Sequence, residues 1–438
     1  VDKKFNLTPK NLIYLCLIFL IPIVCVTGVS VFPSNIKLPG TIAMGILCLI
    51  HTVFIKKKLV LNCITIPAII LCGFLLISSI YSLAPKSALK FCYMYLSSVA
   101  LLFADLPEKV FSKAITISRI ILIIIALSIL LSTVIDDFII TYFKWFINPE
   151  NSSEINFSIT NEIKNCNAYS GLAKERGEAA YLMNIGLGIV LADYFAGKKF
   201  KIADWLQVFI FVGALYFTNK RMLFVIPIIA FAVMLFLSKI KGKPVKFVMI
   251  ALVAVGFMIV LSMFIPIENN IFERFSAGDD DFFNGREELW GYSLSMFAEY
   301  PIFGRGFASY NNYIYSKGYR YGGGKWVYYG HNCYYQVLGE TGVVGAIIFL
   351  AVFIIPLVLT VAMLYRRILN KGETTLMMFA LYVEILSFVY SISGNVLYYN
   401  QQIVMWFFAI AIVLYCKNKY KFTLFNKKYI LNHIRSFS

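Results

Sequence analysis

Apolar residues fall in long unbroken stretches separated by short polar links, and twelve stretches reach or approach the roughly 20 residues a helix needs to cross a bilayer. They cover residues 11–32, 40–55, 59–80, 88–104, 115–135, 179–197, 202–218, 222–238, 245–267, 342–364, 376–394 and 402–416; the second, fourth and last are short. The pattern predicts an all-α polytopic membrane protein, one integral membrane domain over residues 1–438 with about twelve transmembrane helices. Lys3, Lys4 and Lys10 precede the first stretch in the manner of a secretory signal. That stretch outruns a signal's apolar region and has no small-residue cleavage site, so it reads as a retained helix.

Composition supports this picture over the domain count that length alone suggests. A soluble chain of 438 residues would form about three domains. Here 60% of residues are hydrophobic and 14% charged, with a mean hydropathy of +0.75. Soluble domains carry about 45–50% and 25%. Disordered, fibrous, disulfide-scaffold and ordinary soluble-enzyme classes are thereby excluded. The net charge of +17, from 40 Lys and Arg against 23 Asp and Glu, would suggest nucleic acid in a soluble protein. The basic residues instead cluster between apolar stretches, as at Lys56 to Lys58, Lys198 to Lys201, Lys239 to Lys246, Arg366–Arg367 and the tail from Lys417 to Arg435. Such links mark the cytoplasmic side, so both termini are expected there and no nucleic-acid partner is implied. Seven of the nine cysteines lie in or beside apolar stretches, as small hydrophobes. Cys166 and Cys333 lie in or beside polar loops, and whether they pair stays open. No metal-ligand spacing occurs, and neither a metal nor another cofactor is expected.

Two links on the extracytoplasmic side are too long to be mere connections: residues 136–178 and residues 268–341, the latter before the tenth span and rich in Tyr, Gly, Asn and Trp. Long loops beside short ones commonly carry function, and their aromatic content argues against disorder. On the same side, Arg221 opens an apolar helix after Thr218-Asn219-Lys220, and Arg286, in the second of these links, stands in Asn284-Gly285-Arg286-Glu287-Glu288-Leu289-Trp290. Each has a bland reading, as a headgroup anchor and as half of a local ion pair respectively. His331, in Gly330-His331-Asn332, is one of three histidines, and the other two, His51 and His433, fall on the inner side. A histidine at the outer face can serve as a general base, though a surface or capping role is equally compatible with a loop position. Within the spans, Asp193 and Asp204 fall near inner ends. Glu384 sits mid-span, as an interhelical hydrogen bond or a proton site.

The combination resembles the O-antigen ligase and Wzy-type polysaccharide polymerase superfamily. The resemblance covers the whole topology and, residue by residue, about 218–345: the Lys220-Arg221 helix start, Gly285-Arg286 with Trp290, Pro301-Ile302-Phe303-Gly304-Arg305-Gly306-Phe307, and His331-Asn332 with Leu338, Glu340, Gly342 and Gly345. It implies a GT-C-type fold and a metal-independent, inverting membrane glycosyltransferase in the bacterial cytoplasmic membrane, with its active site on the extracytoplasmic side. The implied donor is a glycan on undecaprenyl diphosphate, and the acceptor is another glycan or the lipid A core. Membrane lipids, a flippase and a chain-length regulator are further implied partners. By the same resemblance Arg221 and Arg286 bind the diphosphate and His331 is catalytic. The chain departs from the family where relatives commonly have Ser-Arg and it has Lys220-Arg221, which puts the neighbouring contact in doubt.

Elementary chemistry agrees with those roles, because guanidinium groups receive charge on a departing phosphate bidentately and a sugar hydroxyl needs a base. Arg305 is read either as a further phosphate or glycan contact or as support for its own turn. Glu340 either orients His331 or caps the next helix. Arg176 and Glu178, in a segment that resembles capsule and O-antigen polymerases, are candidate glycan contacts or interface anchors. Polymerase is the preferred activity, from the long 136–178 loop, with ligase as the alternative. A flippase or secondary transporter ranks lower, since no internal repeat is evident and the candidate residues gather in loops. A scaffold without chemistry ranks last.

Overall fold

The computed structural model describes residues 8–26, 36–135, 137–145, 147, 168–238, 286–319 and 329–424. Over these residues the chain is all-helical, with 14 α-helices. In chain order they are α1 (Pro9–Cys25), α2 (Lys37–Ile50), α3 (Thr65–Tyr81), α4 (Pro85–Ala104), α5 (Glu108–Ser132), α6 (Phe138–Phe143), α7 (Arg176–Phe195), α8 (Ile202–Phe217), α9 (Arg221–Leu237), α10 (Arg286–Glu299), α11 (Tyr310–Ser316), α12 (Cys333–Tyr365), α13 (Lys371–Tyr390) and α14 (Asn400–Lys419). Six are long and apolar enough to cross a membrane: α2 with the π-turn that extends it to Lys56, α4, α5, α12, α13 and α14. The apolar helices α1, α3, α8 and α9 are shorter. Each predicted stretch except 245–267, which lies outside the described residues, coincides with one of these helices or with α7.

Burial separates the helices that face lipid from those that form the protein's centre. The outer faces of α2, α3 and α5 carry exposed Ile and Leu, such as Ile46, Ile77 and Ile124, as expected for surfaces solvated by lipid tails. α7, α13 and α14 are buried nearly all round. α7 packs against α5, α8, α9 and α13, and α14 against α4 and α13. Glycines permit the closest approaches, since a Cβ on Gly186 or Gly188 of α7 would collide with the rings of Phe211 and Tyr382. In this centre the buried Glu384 carboxylate accepts from Thr360 Oγ1 at 3.2 Å, joining α13 to α12. That is the interhelical hydrogen bond expected of a mid-span acid.

α12 is broken near its start. Gly342 has φ +63°, so a short segment, residues 333–341, meets the long apolar one at a kink. A left-handed residue at this point favours glycine. The 301–306 turn binds across the break: the amides of Val343 and Val344 donate to the carbonyls of Pro301 and Ile302 at 2.9 and 3.2 Å, and Arg305 and Gly306 donate back to Gly339 and Glu340 at 3.2 and 2.8 Å. Phe307 then plugs into the core against Phe349 and Tyr398. α10 is thereby fixed on the short segment that follows His331.

Candidate functional site

Three arginines stand at the starts of helices: Arg176 opens α7, Arg221 opens α9, and Arg286 is the first described residue of α10. α12 begins just after His331. Each chain reversal has a local cause. Before α9, Thr218 Oγ1 donates to Leu215 O at 2.6 Å and closes α8, and Asn219 turns the chain with φ +51°. Asparagine tolerates that conformation better than most residues, so the departure from the family's Ser-Arg pattern lies in a tight turn that leaves Arg221 as the first helical residue. Pro227 inside α9 removes the amide that would bond to Leu223 O. Asn184 of α7 fills the gap, its Nδ2 donating to Leu223 O at 2.9 Å while its Oδ1 accepts from Tyr382 of α13 at 3.1 Å. One buried amide thus ties together the three helices beneath the arginines.

The electrostatics place these cations near one another. Burial above all lowers the Arg286 guanidinium from its ordinary value; Tyr390 opposes this, and the charges of Arg221 and Arg176 add to it. Arg286 Nη1 also reaches the carbonyl of Ser393 at 3.5 Å. Lys220 lies along the first turn of α7, its Cε 3.5 Å from where a Cβ on Gly177 would stand. The ring of His331 is held against the same group: burial, then Arg286, then Lys220 push its pKa down to about 4. At neutral pH the imidazole is uncharged.

His331 has φ +49° and lies in a loop pinned to the link between α13 and α14. Its backbone N–H donates to Asn395 Oδ1 at 3.1 Å, and the Asn395 Nδ2 atom stands 3.4 Å from His331 Nδ1. Cys333 N donates to Ser391 O at 2.8 Å and its thiol donates to Gly394 O at 3.2 Å. Cys166 lies outside the described residues. Asn332 caps α12 by accepting from the amides of Tyr334 and Tyr335 at 3.0 and 3.1 Å.

Other candidates from the sequence stand apart from the ring. Glu340 neither orients His331 nor caps the next helix. Its buried carboxylate accepts from the amides of Ala308 and Tyr310 at 2.8 and 2.9 Å, from Tyr398 at 2.8 Å and from Gln336 at 3.2 Å, so it clamps the turn that braces α12. Arg305 lies over the Tyr300 ring at 4.8 Å, with its amide in the kink, the turn-supporting alternative. Glu178 is buried, accepts from Gln401 and pairs with Lys37 at 3.6 Å. Trp290 packs edge-on against Tyr335.

Asn395, Tyr390 and Glu175 belong with the site and went unnoticed in the sequence. The signal for Asn395 was the short polar interruption Ser391-Ile392-Ser393-Gly394-Asn395 between two apolar stretches, which reads as a plain link until the fold sets it beside His331. Among the described residues no group of three or more His, Cys, Asp or Glu stands close enough to hold a metal ion.

Comparison with known proteins places this geometry. Residues 206–350 match the family model described as O-antigen ligase, a stretch that runs from α8 past Arg221, Arg286 and His331 into α12 and covers about a third of the chain. Arg176 lies outside it. None of the curated proteins matches the chain. Members of the matched family are membrane enzymes that transfer glycans, and the family implies lipid-linked glycan substrates. With its apolar helices the chain is a membrane protein, and over residues 206–350 it is similar to the O-antigen ligase family.

Proposed function

We propose that the protein is an inverting glycosyltransferase of the bacterial cytoplasmic membrane that takes a glycan from undecaprenyl diphosphate on the extracytoplasmic side and joins it to another glycan, as a Wzy-type polymerase. The full arrangement is a single GT-C-type membrane domain of about twelve spans with both termini in the cytoplasm. The observation that carries the reading is that Arg286 stands between His331, which it faces together with Lys220, and Arg221 and Arg176, at helix starts far apart in the chain. Helix N-termini and guanidinium groups both favour anions such as a diphosphate.

In this reaction the acceptor hydroxyl oxygen bonds to the anomeric carbon and the bond from that carbon to the diphosphate breaks. The electron pair leaves on undecaprenyl diphosphate, where Arg221 and Arg286, aided by Arg176 and Lys220, receive the growing charge. The hydroxyl proton passes to His331. A pKa of about 4 makes the resting imidazole a weak base. Diphosphate anions bound beside Arg286 and Lys220 offset the two charges that depress it, so its basicity rises when the donor is in place. Arg305, Glu340 and Glu178 support the scaffold in this scheme. A flippase delivering the donor and a chain-length regulator are the partners such an activity implies.

The second reading, a ligase that moves the glycan onto the lipid A core or another terminal acceptor, is favoured by the matched family's own description. Purified protein in detergent, given a lipid-linked oligosaccharide and an acceptor glycan, tests both. Release of undecaprenyl diphosphate with a ladder of products supports the polymerase, and a single transfer supports the ligase. Absence of release with every acceptor, or equal release by Arg221→Ala, Arg286→Ala and His331→Ala, would remove the proposal.

A further inference from the structure

Two contacts between His331 and Asn395 decide which ring nitrogen holds the proton. The His331 backbone N–H donates to Asn395 Oδ1 at 3.1 Å, and Asn395 Nδ2 lies 3.4 Å from His331 Nδ1. A backbone N–H can only donate, so the carboxamide end facing it is the oxygen. The other end is then the NH2 group, which also only donates. Nδ1 is therefore the acceptor, and in the neutral ring the proton sits on Nε2, the nitrogen that Asn395 leaves to the site. A neutral imidazole with that proton in place has no lone pair on Nε2 with which to take another from a hydroxyl.

We propose that Asn395 is a positioning residue that holds His331 in a resting tautomer unable to accept a proton at Nε2. The base-competent tautomer, with Nδ1–H and a free lone pair on Nε2, is reached by turning the Asn395 carboxamide over so that Oδ1 accepts from Nδ1–H, at the cost of the bond that Oδ1 accepts from the His331 backbone N–H. The inference deepens the base role proposed above and rests on it. The proton count balances: Nδ1 takes a proton from water, Nε2 returns one to water, and Nε2 then takes the proton of the acceptor hydroxyl. Among the described residues the charged groups facing the ring are Arg286 from α10 and Lys220 from the turn before α9. The 391–395 link presents the uncharged Asn395, and α12 begins beside the ring with the uncharged Asn332 and Cys333. Arg286 and Lys220 keep the doubly protonated ring, the intermediate of the exchange, scarce. A bound diphosphate relieves that pressure, so loading the donor eases the exchange.

The test is the 15N spectrum of the full chain, histidine-labelled in detergent micelles, with the His331 signals identified by their loss in His331→Gln. Wild type at pH 7 is expected to show Nε2 protonated and Nδ1 bare. Asn395→Asp, whose carboxylate accepts from both the backbone N–H and Nδ1–H, is expected to move the proton to Nδ1. It should also shift the acid limb of kcat/KM upward by about 1–3 pH units, as an anion beside an imidazolium does. Asn395→Ala is expected to show a mixture of tautomers. A wild-type ring with its proton on Nδ1 overturns the proposal even if no Asn395 variant folds, and so does an unchanged tautomer in a folded Asn395→Asp. If the tautomers behave as expected while His331→Ala still releases undecaprenyl diphosphate, the assignment to Asn395 stands and the base role falls.

Discussion

Basic residues gather at both ends of α7, and the two ends differ in what surrounds them. At the far end Arg119 of α5 lies between two carboxylates, 3.1 Å from Asp193 and 2.9 Å from Asp204, with its Nε on Gln207 at 2.5 Å, and Lys198 also pairs with Asp193. That cluster closes on itself. At the near end the charges of Arg221 and Arg176 act on the buried Arg286, and Arg286 and Lys220 crowd a neutral histidine. In the proposed function the same side chain serves as a helix fastener at one end and as an anion receiver at the other, and its neighbours, not its identity, mark the difference.

Substitutions that treat the two ends alike should have opposite effects. The largest is expected at the near end. Arg221→Ala and Arg286→Ala should each cut release of undecaprenyl diphosphate by about 10²–10³-fold, the scale of removing one charge-stabilising donor, with the thermal midpoint little changed. Arg119→Ala should leave turnover per folded molecule intact and lower stability by about 1–2 kcal/mol, a partly screened loss measured by the thermal midpoint in detergent. Activity loss without destabilisation in Arg119→Ala would erase the contrast.

Next in size is the response to anion. Pyrophosphate should raise the thermal midpoint of the wild-type protein, by the equivalent of about 2.7 kcal/mol at a hundred times its Kd. Arg221→Ala and Arg286→Ala should lose that response and Arg119→Ala should keep it.

A smaller effect concerns pH. The His331 pKa is about 4 folded, against about 6.5 unfolded. Between those values the unfolded chain binds the extra proton, so the contribution of this residue to stability is complete above pH 6.5 and is lost as pH falls toward 4. His331→Gln should flatten that part of the melting profile, and an unchanged slope would mean that the ring is not held neutral by its surroundings. A last effect is at the brace. Glu340→Gln keeps the shape but replaces an acceptor with a donor near the Ala308 and Tyr310 amides, and should cost about 1–3 kcal/mol of stability.

Much of this architecture was legible in the sequence, because lipid-facing helices are written as uninterrupted apolar residues. α1, α8 and α9 each coincide with an apolar stretch. α7 was read correctly too, although burial within protein lets it carry Asn184 and several glycines. The helix ends were less legible: α5 begins at Glu108, well before its apolar stretch, since Lys109 and Lys113 belong to a helix whose first turns leave the apolar zone. Arg221, Arg286 and His331 were picked out by charge or rarity against an apolar background. Asn395 and the clamp role of Glu340 could not be, because both depend on chain reversals that bring residues far apart in sequence together. The motif around Gly304, Gly306, Glu340 and Gly342 reads as one signature in sequence. In the fold it forms the brace, while Arg221, Arg286 and His331 form the charged cluster.

The most direct measurement is an electron cryo-microscopy reconstruction of the protein bound to undecaprenyl diphosphate. The account predicts the diphosphate in contact with Arg221 and Arg286, with Arg176 and Lys220 around it and the His331 ring within reach of the anomeric position. Diphosphate density elsewhere, for instance beside Lys37 and Glu178, with the three arginines untouched, would contradict it.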